Sequence, residues 1–100
     1  MRRKTIPKKP YSTRGYHVTE HAVYDMNIRH ISKGELGENL SKKPRYKSRV
    51  TLDTLGRPYY KRFSFNKIFT IINPTNKNVA SVRKYHEKEV RREIRKYEKN

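Results

Sequence analysis

Three of the chain's four histidines lie in one stretch, HVTEHAVYDMNIRHIS (17–32), together with Asp25 and Arg29. On a helix, His21, Asp25 and Arg29 stand four apart and line one side. A carboxylate one turn from an imidazole would orient it as a general acid or base near neutral pH. The same spacing also suits a plain charge ladder on a solvated helix face. His30 falls on the apolar side with Ala22, Val23 and Met26 and reads as a packed histidine. His17 precedes the helix and would reach the same cleft, while His86 follows Tyr85 at the end of a later strand. No two histidines have the spacing or carboxylate company of a metal site, so neither a metal nor another cofactor is expected.

Charge is the strongest global signal. Lys and Arg number 26 against 9 Asp and Glu, a net +17 over 100 residues. Both halves share it: 13 basic against 4 acidic residues in 1–50, and 13 against 5 in 51–100. Self-repulsion on this scale calls for a polyanionic partner. Nucleic acid, an acidic protein and an anionic membrane are the candidates. Membrane insertion is disfavoured because no apolar run approaches the ~20 residues of a span. A DNA-cleaving enzyme is disfavoured because no carboxylate cluster stands ready for Mg²⁺. There is no cysteine, hence no disulfide or thiolate chemistry. The start, MRRKTIPKKP, is basic but lacks the apolar stretch of a signal peptide. Hydrophobic residues make up 32% of the chain and cluster between Val50 and Val82, which predicts a folded centre with solvated ends.

The elements that would position these residues follow from local patterns. Residues 1–16, with two prolines, a glycine and six basic residues, read as an irregular basic arm, and 17–100 as a single domain. Thr19 suits a helix N-cap, with Glu20 in the first turn and Val18 and Val23 as the hydrophobic staple. Ser32 and Glu35 form a capping box for a shorter helix, which Lys42-Lys43-Pro44 ends. From Arg45 the period changes to two: RYKSRVTLD, RPYYKRFSF, KIFTII and NVASVRKYH each fit a strand. Turn signals at DTLGRP, near Asn66 and at NPTNKN favour an antiparallel meander. EKEVRREIRKYEKN then reads as a basic helix with a narrow stripe of Val90, Ile94 and Tyr97. The expected fold class is α+β: two N-terminal helices on one face of a roughly four-stranded antiparallel sheet, with a basic C-terminal helix.

Alternation divides the sheet into two faces. If Phe63 and Phe65 are buried, Tyr59 and Lys61 share their side. With Ala80 and Val82 also on the core side, the opposite face collects Tyr60, Arg62, Ser64, Thr70, Ser81, Arg83 and Tyr85. Arginine beside tyrosine suits RNA, the guanidinium on phosphate and the ring on an unpaired base. An ordinary solvated sheet face is also polar. A metal-free ribonuclease needs a base, an acid and cations at the phosphate. His21 or His86 would supply the first two, and Arg83, Arg62 and Lys61 the third. Tyr85 or Tyr60 would stack or donate a proton, and Thr70, on the same face, completes the candidate catalytic set with His21, Arg83, Tyr85 and His86. His17, Arg29, Ser64, Lys67 and Lys84 would add RNA contacts.

The opening stretch, followed by GEL, the strands and a terminal VRKYH, resembles small toxin domains with the pattern H-A-x-x-R-M-x-x-R-x-I-S. These are C-terminal effector modules of bacterial polymorphic and contact-dependent toxins, grouped with the barnase/EndoU/colicin/RelE-like ribonuclease fold. His21, Ala22, Met26, Arg29, Ile31 and Ser32 match, and Asp25 stands where the pattern has its first arginine. The resemblance implies metal-independent cleavage of RNA, either tRNA or ribosome-associated mRNA. It also implies action in the bacterial cytoplasm, delivery within a larger secreted toxin, and an acidic immunity or antitoxin protein covering the basic site. Its catalytic residues come from the first helix and the concave sheet face, which favours His21, Arg83 and Tyr85. A non-catalytic RNA- or DNA-binding protein, ribosome-associated or phage-encoded, is the alternative that charge alone supports. A module whose basic surface binds an acidic protein partner is a third.

Overall fold

Two local caps start the two N-terminal helices. Thr19 accepts the backbone N–H of Ala22 and opens α1 (Glu20–Arg29). Ser32 and Glu35 close the reciprocal capping box of α2 (Lys33–Ser41). The computed structural model describes residues 5–98, with side chains placed to residue 96. Residues 1–4 of the expected arm, and the side chain of Tyr97, lie outside this range.

The general α+β class holds, but the sheet is larger and mixed. Seven strands take part: β1 (Tyr11–Thr13), β2 (Tyr16–Val18), β3 (Tyr46–Lys47), β4 (Thr51–Leu52), β5 (Pro58–Phe63), β6 (Ile68–Asn73) and β7 (Asn78–Lys84). They run in the order β1-β2-β7-β6-β5-β3, with β4 also on β5. The meander β5-β6-β7 is antiparallel, as its short turns require. The stretch expected to be an irregular arm supplies β1 and the start of β2. Arg14 and Gly15, both at positive φ (50° and 82°), make the two-residue turn between them. That geometry matches the right-handed twist of the paired strands. β2 then lies parallel to β7, His17 against Asn78 and Val18 against Val79, before the chain turns into α1. The segment read as one strand at 45–53 is broken at Ser48, whose hydroxyl accepts the Lys61 N–H where a ladder carbonyl would stand.

Helices cover both faces of the sheet. α1 packs on β7, and α2 on β6 and β5. Between them and the sheet lie Val18, Ala22, Val23, Met26, Ile31, Leu36, Leu40, Tyr60, Ile68, Ile72, Val79 and Val82. α3 (Glu87–Glu98) covers part of the opposite face through Phe63, Tyr85 and Val90, with Tyr46, Phe69 and Ile94 around them.

For two reasons the expected face assignment fails along β5 and β6 and at Val79 and Ala80, while Val82 lies in the core as expected. Phe63 is buried as expected, but against Tyr85 and Val90 under α3, and Phe65 sits in the turn after β5, 70% exposed. In β7, Ser81 pairs with Ile71 and Val79 with Ile72, leaving Ala80 as an extra residue. This bulge puts Val79 and Val82 in the core and Ala80 outside. Tyr60, Ser64, Thr70, Ser81 and Tyr85, expected on an open face, are all buried.

Candidate functional site

The buried residue at the centre of the candidate site is Asp25. β2 accompanies β7 only to Val79, so beyond it the β7 edge would be bare. α1 lies along this stretch, and Asp25, 2% exposed, reaches the edge from it. Its Oδ2 accepts the Ser81 hydroxyl at 2.6 Å and the Val82 N–H at 3.2 Å. Its Oδ1 accepts Arg29 Nη1 at 3.3 Å. Three donors thus hold a carboxylate that burial alone would penalise.

The same carboxylate meets His21. The imidazole Nε2 stands 3.6 Å from Asp25 Oδ2, and the His21 side chain is 63% exposed. The exposed Tyr24 ring stacks beside it, centroids 6.4 Å apart. On the other side, Arg83 Nε lies 3.5 Å from Ser81 Oγ. His21, Asp25, Ser81 and Arg83 therefore form one chain of contacts from α1 to β7. The two residues first named as catalytic, His21 and Arg83, are brought together, with Arg29 joining through Asp25. An exposed imidazole on a fixed carboxylate can accept or donate a proton, and guanidinium groups such as those of Arg29, on Asp25, and Arg83, on Ser81, can hold phosphate.

This chain adjoins the part of the sheet that α3 leaves open. A groove of about 740 Å³ lies over Tyr59, Lys61, Ile71, Asn73, Asn78 and Ala80, with Thr19, Asp53, Thr54 and Arg57 along its sides. Thr19 is two residues from His21, and Ala80 precedes Ser81. A tyrosine, apolar floor residues and several amides are the means by which an unpaired base is stacked and hydrogen-bonded.

The remaining candidates divide. Thr70 is wholly buried and donates its hydroxyl to Asn39 Oδ1 at 2.8 Å, on the face under α2. Tyr85 is buried under α3 and donates to the Ser64 carbonyl at 2.6 Å. Neither stands at the His21 chain. Tyr60 lies in the core beneath the helices, and burial together with a hydrogen bond to Tyr16 pushes its hydroxyl up to about 12. Ser64 is enclosed with Asn39 and Ile68. Arg62 is committed to the carbonyls of Asn39 and Lys42. Lys61 lies in the groove, 3.6 Å from Glu93 of α3. His17, Lys67, Lys84 and His86 are exposed. His17 and His86 mark the two ends of β7, at its first residue and just beyond its last. His30, expected to be packed, is exposed: α1 ends at Arg29, and His30 leaves the helical period as a left-handed C-cap at φ 55°.

Three residues of the scaffold escaped the sequence pattern. Asn39 hydrogen-bonds the Arg62 and Ile68 carbonyls, Ser64 and Thr70 from inside the core. Its place between Leu36 and Leu40 on the apolar side of α2 is the signal that could have found it. Ser48, at the break in the edge strand, and Tyr59, in the groove, carry no such mark. No family model, curated protein or solved structure matches this chain. Among the described residues, no helix is long and apolar enough to cross a membrane.

Proposed function

We propose that this protein is a metal-independent endoribonuclease whose site is the His21–Asp25–Ser81–Arg83 chain beside the open groove. The observation that carries the reading is that one buried carboxylate holds an exposed histidine directly and an arginine through Ser81. The cation excess supplies the general affinity for a polyanion. In this reading an RNA strand lies in the groove with an unpaired base on Tyr59. His21, with Nε2 toward Asp25, uses Nδ1 to take the proton of the ribose 2′-hydroxyl. The 2′-oxygen attacks the adjacent phosphorus, and Arg83 and Arg29 neutralise the charge on the equatorial oxygens. The products are a 2′,3′-cyclic phosphate and a 5′-hydroxyl. His17 and His86, at the ends of β7, are the side chains to test as the acid for the leaving oxygen. As a toxin module it would act in the bacterial cytoplasm, on tRNA or ribosome-associated mRNA, and an acidic immunity protein would block it by covering the basic surface.

The second reading, a non-catalytic RNA-binding protein, is favoured by a separate observation. Asp25 caps the free edge of β7 through Val82 N–H, so the fold needs this carboxylate whether or not chemistry occurs. One experiment separates the two. Total bacterial RNA is incubated with the wild type, His21→Ala and Arg83→Ala proteins in EDTA and resolved on a denaturing gel. The nuclease reading expects discrete fragments from the wild type alone. Full cleavage by a folded His21→Ala protein would overturn the site, and intact RNA in every lane, with protein bound, would favour the binding protein.

A further inference from the structure

The charges of α3 are segregated across its width, save for the half-exposed Glu89 at the edge of the basic side. Val90 and Glu93 are buried and Ile94 half-buried against the sheet. Its inward carboxylates are matched by cations of the scaffold: Glu87 by Arg45 and Lys67, Glu93 by Lys61. The outward side carries Lys88, Arg91, Arg92, Arg95 and Lys96, every one exposed. The spacing of three, four, seven and eight residues from Lys88 places them in one band about 12 Å long at the helical rise. Glu87 is also 3.4 Å from Arg91, at the helix's first turn. No aromatic side chain stands in this band among the described residues.

From this arrangement we infer that the outer face of α3 docks the phosphate backbone of a base-paired RNA stem, while the groove receives an unpaired nucleotide beside it. The preferred substrate is then a stem–loop rather than an unstructured strand. The inference rests on the ribonuclease reading for the groove, and it adds the class of RNA. Binding of single strands without sequence preference relies on aromatic platforms, which this band lacks. A row of cations held rigid by a helix matches phosphates that are themselves held rigid by pairing, and recognition of paired RNA runs through backbone contacts. An anionic membrane is a poorer fit, because the apolar side of α3 is already spent on Phe63 and Tyr85. The groove and α3 are continuous: Lys61 lines both the groove and the cleft formed by Phe63, Phe69, Lys88, Glu89 and Arg92.

The test measures binding of a fluorescent stem–loop RNA, 2′-O-methylated so that it cannot be cleaved, and of an unpaired RNA of the same composition and modification, to the full chain across a salt series. The proteins are the wild type, His21→Ala, Arg91→Gln/Arg92→Gln/Arg95→Gln, and Lys8→Gln/Lys9→Gln/Lys43→Gln. The last removes equal charge at exposed lysines outside α3. The α3 variant is expected to lose at least about tenfold in affinity for the stem–loop, with a salt slope shallower by about 2 to 3. It should lose the preference for the stem–loop over the unpaired RNA, whereas the lysine control and His21→Ala keep it. In cleavage assays the α3 variant should raise KM far more than it lowers kcat. Equal losses in the α3 and lysine variants would overturn the inference, as would equal losses on both RNAs. Stem–loop binding through α3 without any cleavage would overturn the ribonuclease reading while leaving the docking surface in place. His21-dependent cleavage indifferent to the α3 substitutions would do the reverse.

Discussion

The Ser81 hydroxyl donates to Asp25 Oδ2 at 2.6 Å, and His21 meets the same oxygen at 3.6 Å. One carboxylate thereby closes the bare edge of β7 and positions the exposed imidazole. The two roles separate by mutation. His21→Ala removes an exposed side chain, so its stability should stay within about 0.5 kcal/mol of wild type. On the ribonuclease reading, its cleavage rate should fall by about 10²- to 10⁴-fold. Asp25→Asn should lose both, with a stability cost of about 1–3 kcal/mol from mismatched donors at a buried site. Thermal melts beside single-turnover cleavage check the pair, and a catalytically intact Asp25→Asn would remove Asp25 from the site.

Thr70 tests whether the inverted face is right. Its hydroxyl is sealed against Asn39, so Thr70→Val leaves Asn39 Oδ1 without that donor. The expected loss is about 1–3 kcal/mol in urea unfolding. Cleavage per folded molecule should be unchanged. A large fall in rate without a fall in stability would return Thr70 to the chemistry.

The two phenylalanines at the end of β5 should behave oppositely. Phe63 stacks on Phe69 at 5.0 Å and meets the Tyr85 ring edge-on at 5.1 Å. Truncation to alanine should cost about 3–5 kcal/mol. Phe65→Ser, in the exposed turn, should change stability by less than about 0.5 kcal/mol. Similar losses at both positions, measured by chemical denaturation, would restore the alternation that buries them together.

Acid should weaken the docking of α3. The guanidinium of Arg45 holds the Glu87 carboxyl down to about 2, below its usual value of 4.5. Because the folded value is depressed, the contribution is complete above the unfolded value and fades as pH falls from there through about 2. Glu87→Gln should flatten the melting temperature across that window relative to wild type. An unaltered pH profile would show that the pair adds nothing to the fold.

Much of the local structure was legible because it depends on neighbours in sequence. The Thr19 cap and the Ser32–Glu35 box each involve residues three apart, and both form where the pattern placed them. The meander from Pro58 to Lys84 followed from short turns between period-two segments. β1 and the start of β2 were missed because the short segment YSTRGY follows directly on the prolines and lysines of residues 1–10. The hairpin there depends on Arg14 accepting a left-handed conformation and on β7 offering a free edge.

By itself, then, the amino-acid order determined the α+β class, the starts of α1 and α2, the meander, the basic character and the proximity of His21 to Asp25 on one helix. Only the tertiary structure decided which side of the sheet each residue meets. Alternation of period two divides a strand into two sets without saying which set is covered. That choice was made by the bulge at Ala80, by the end of β5 at Phe63, and by helices lying on opposite faces. The same long-range packing buried Asp25 at the edge of β7, exposed His30, and drew Arg83 toward His21 through Ser81. Contacts across more than fifty residues of chain have no local pattern from which to be read.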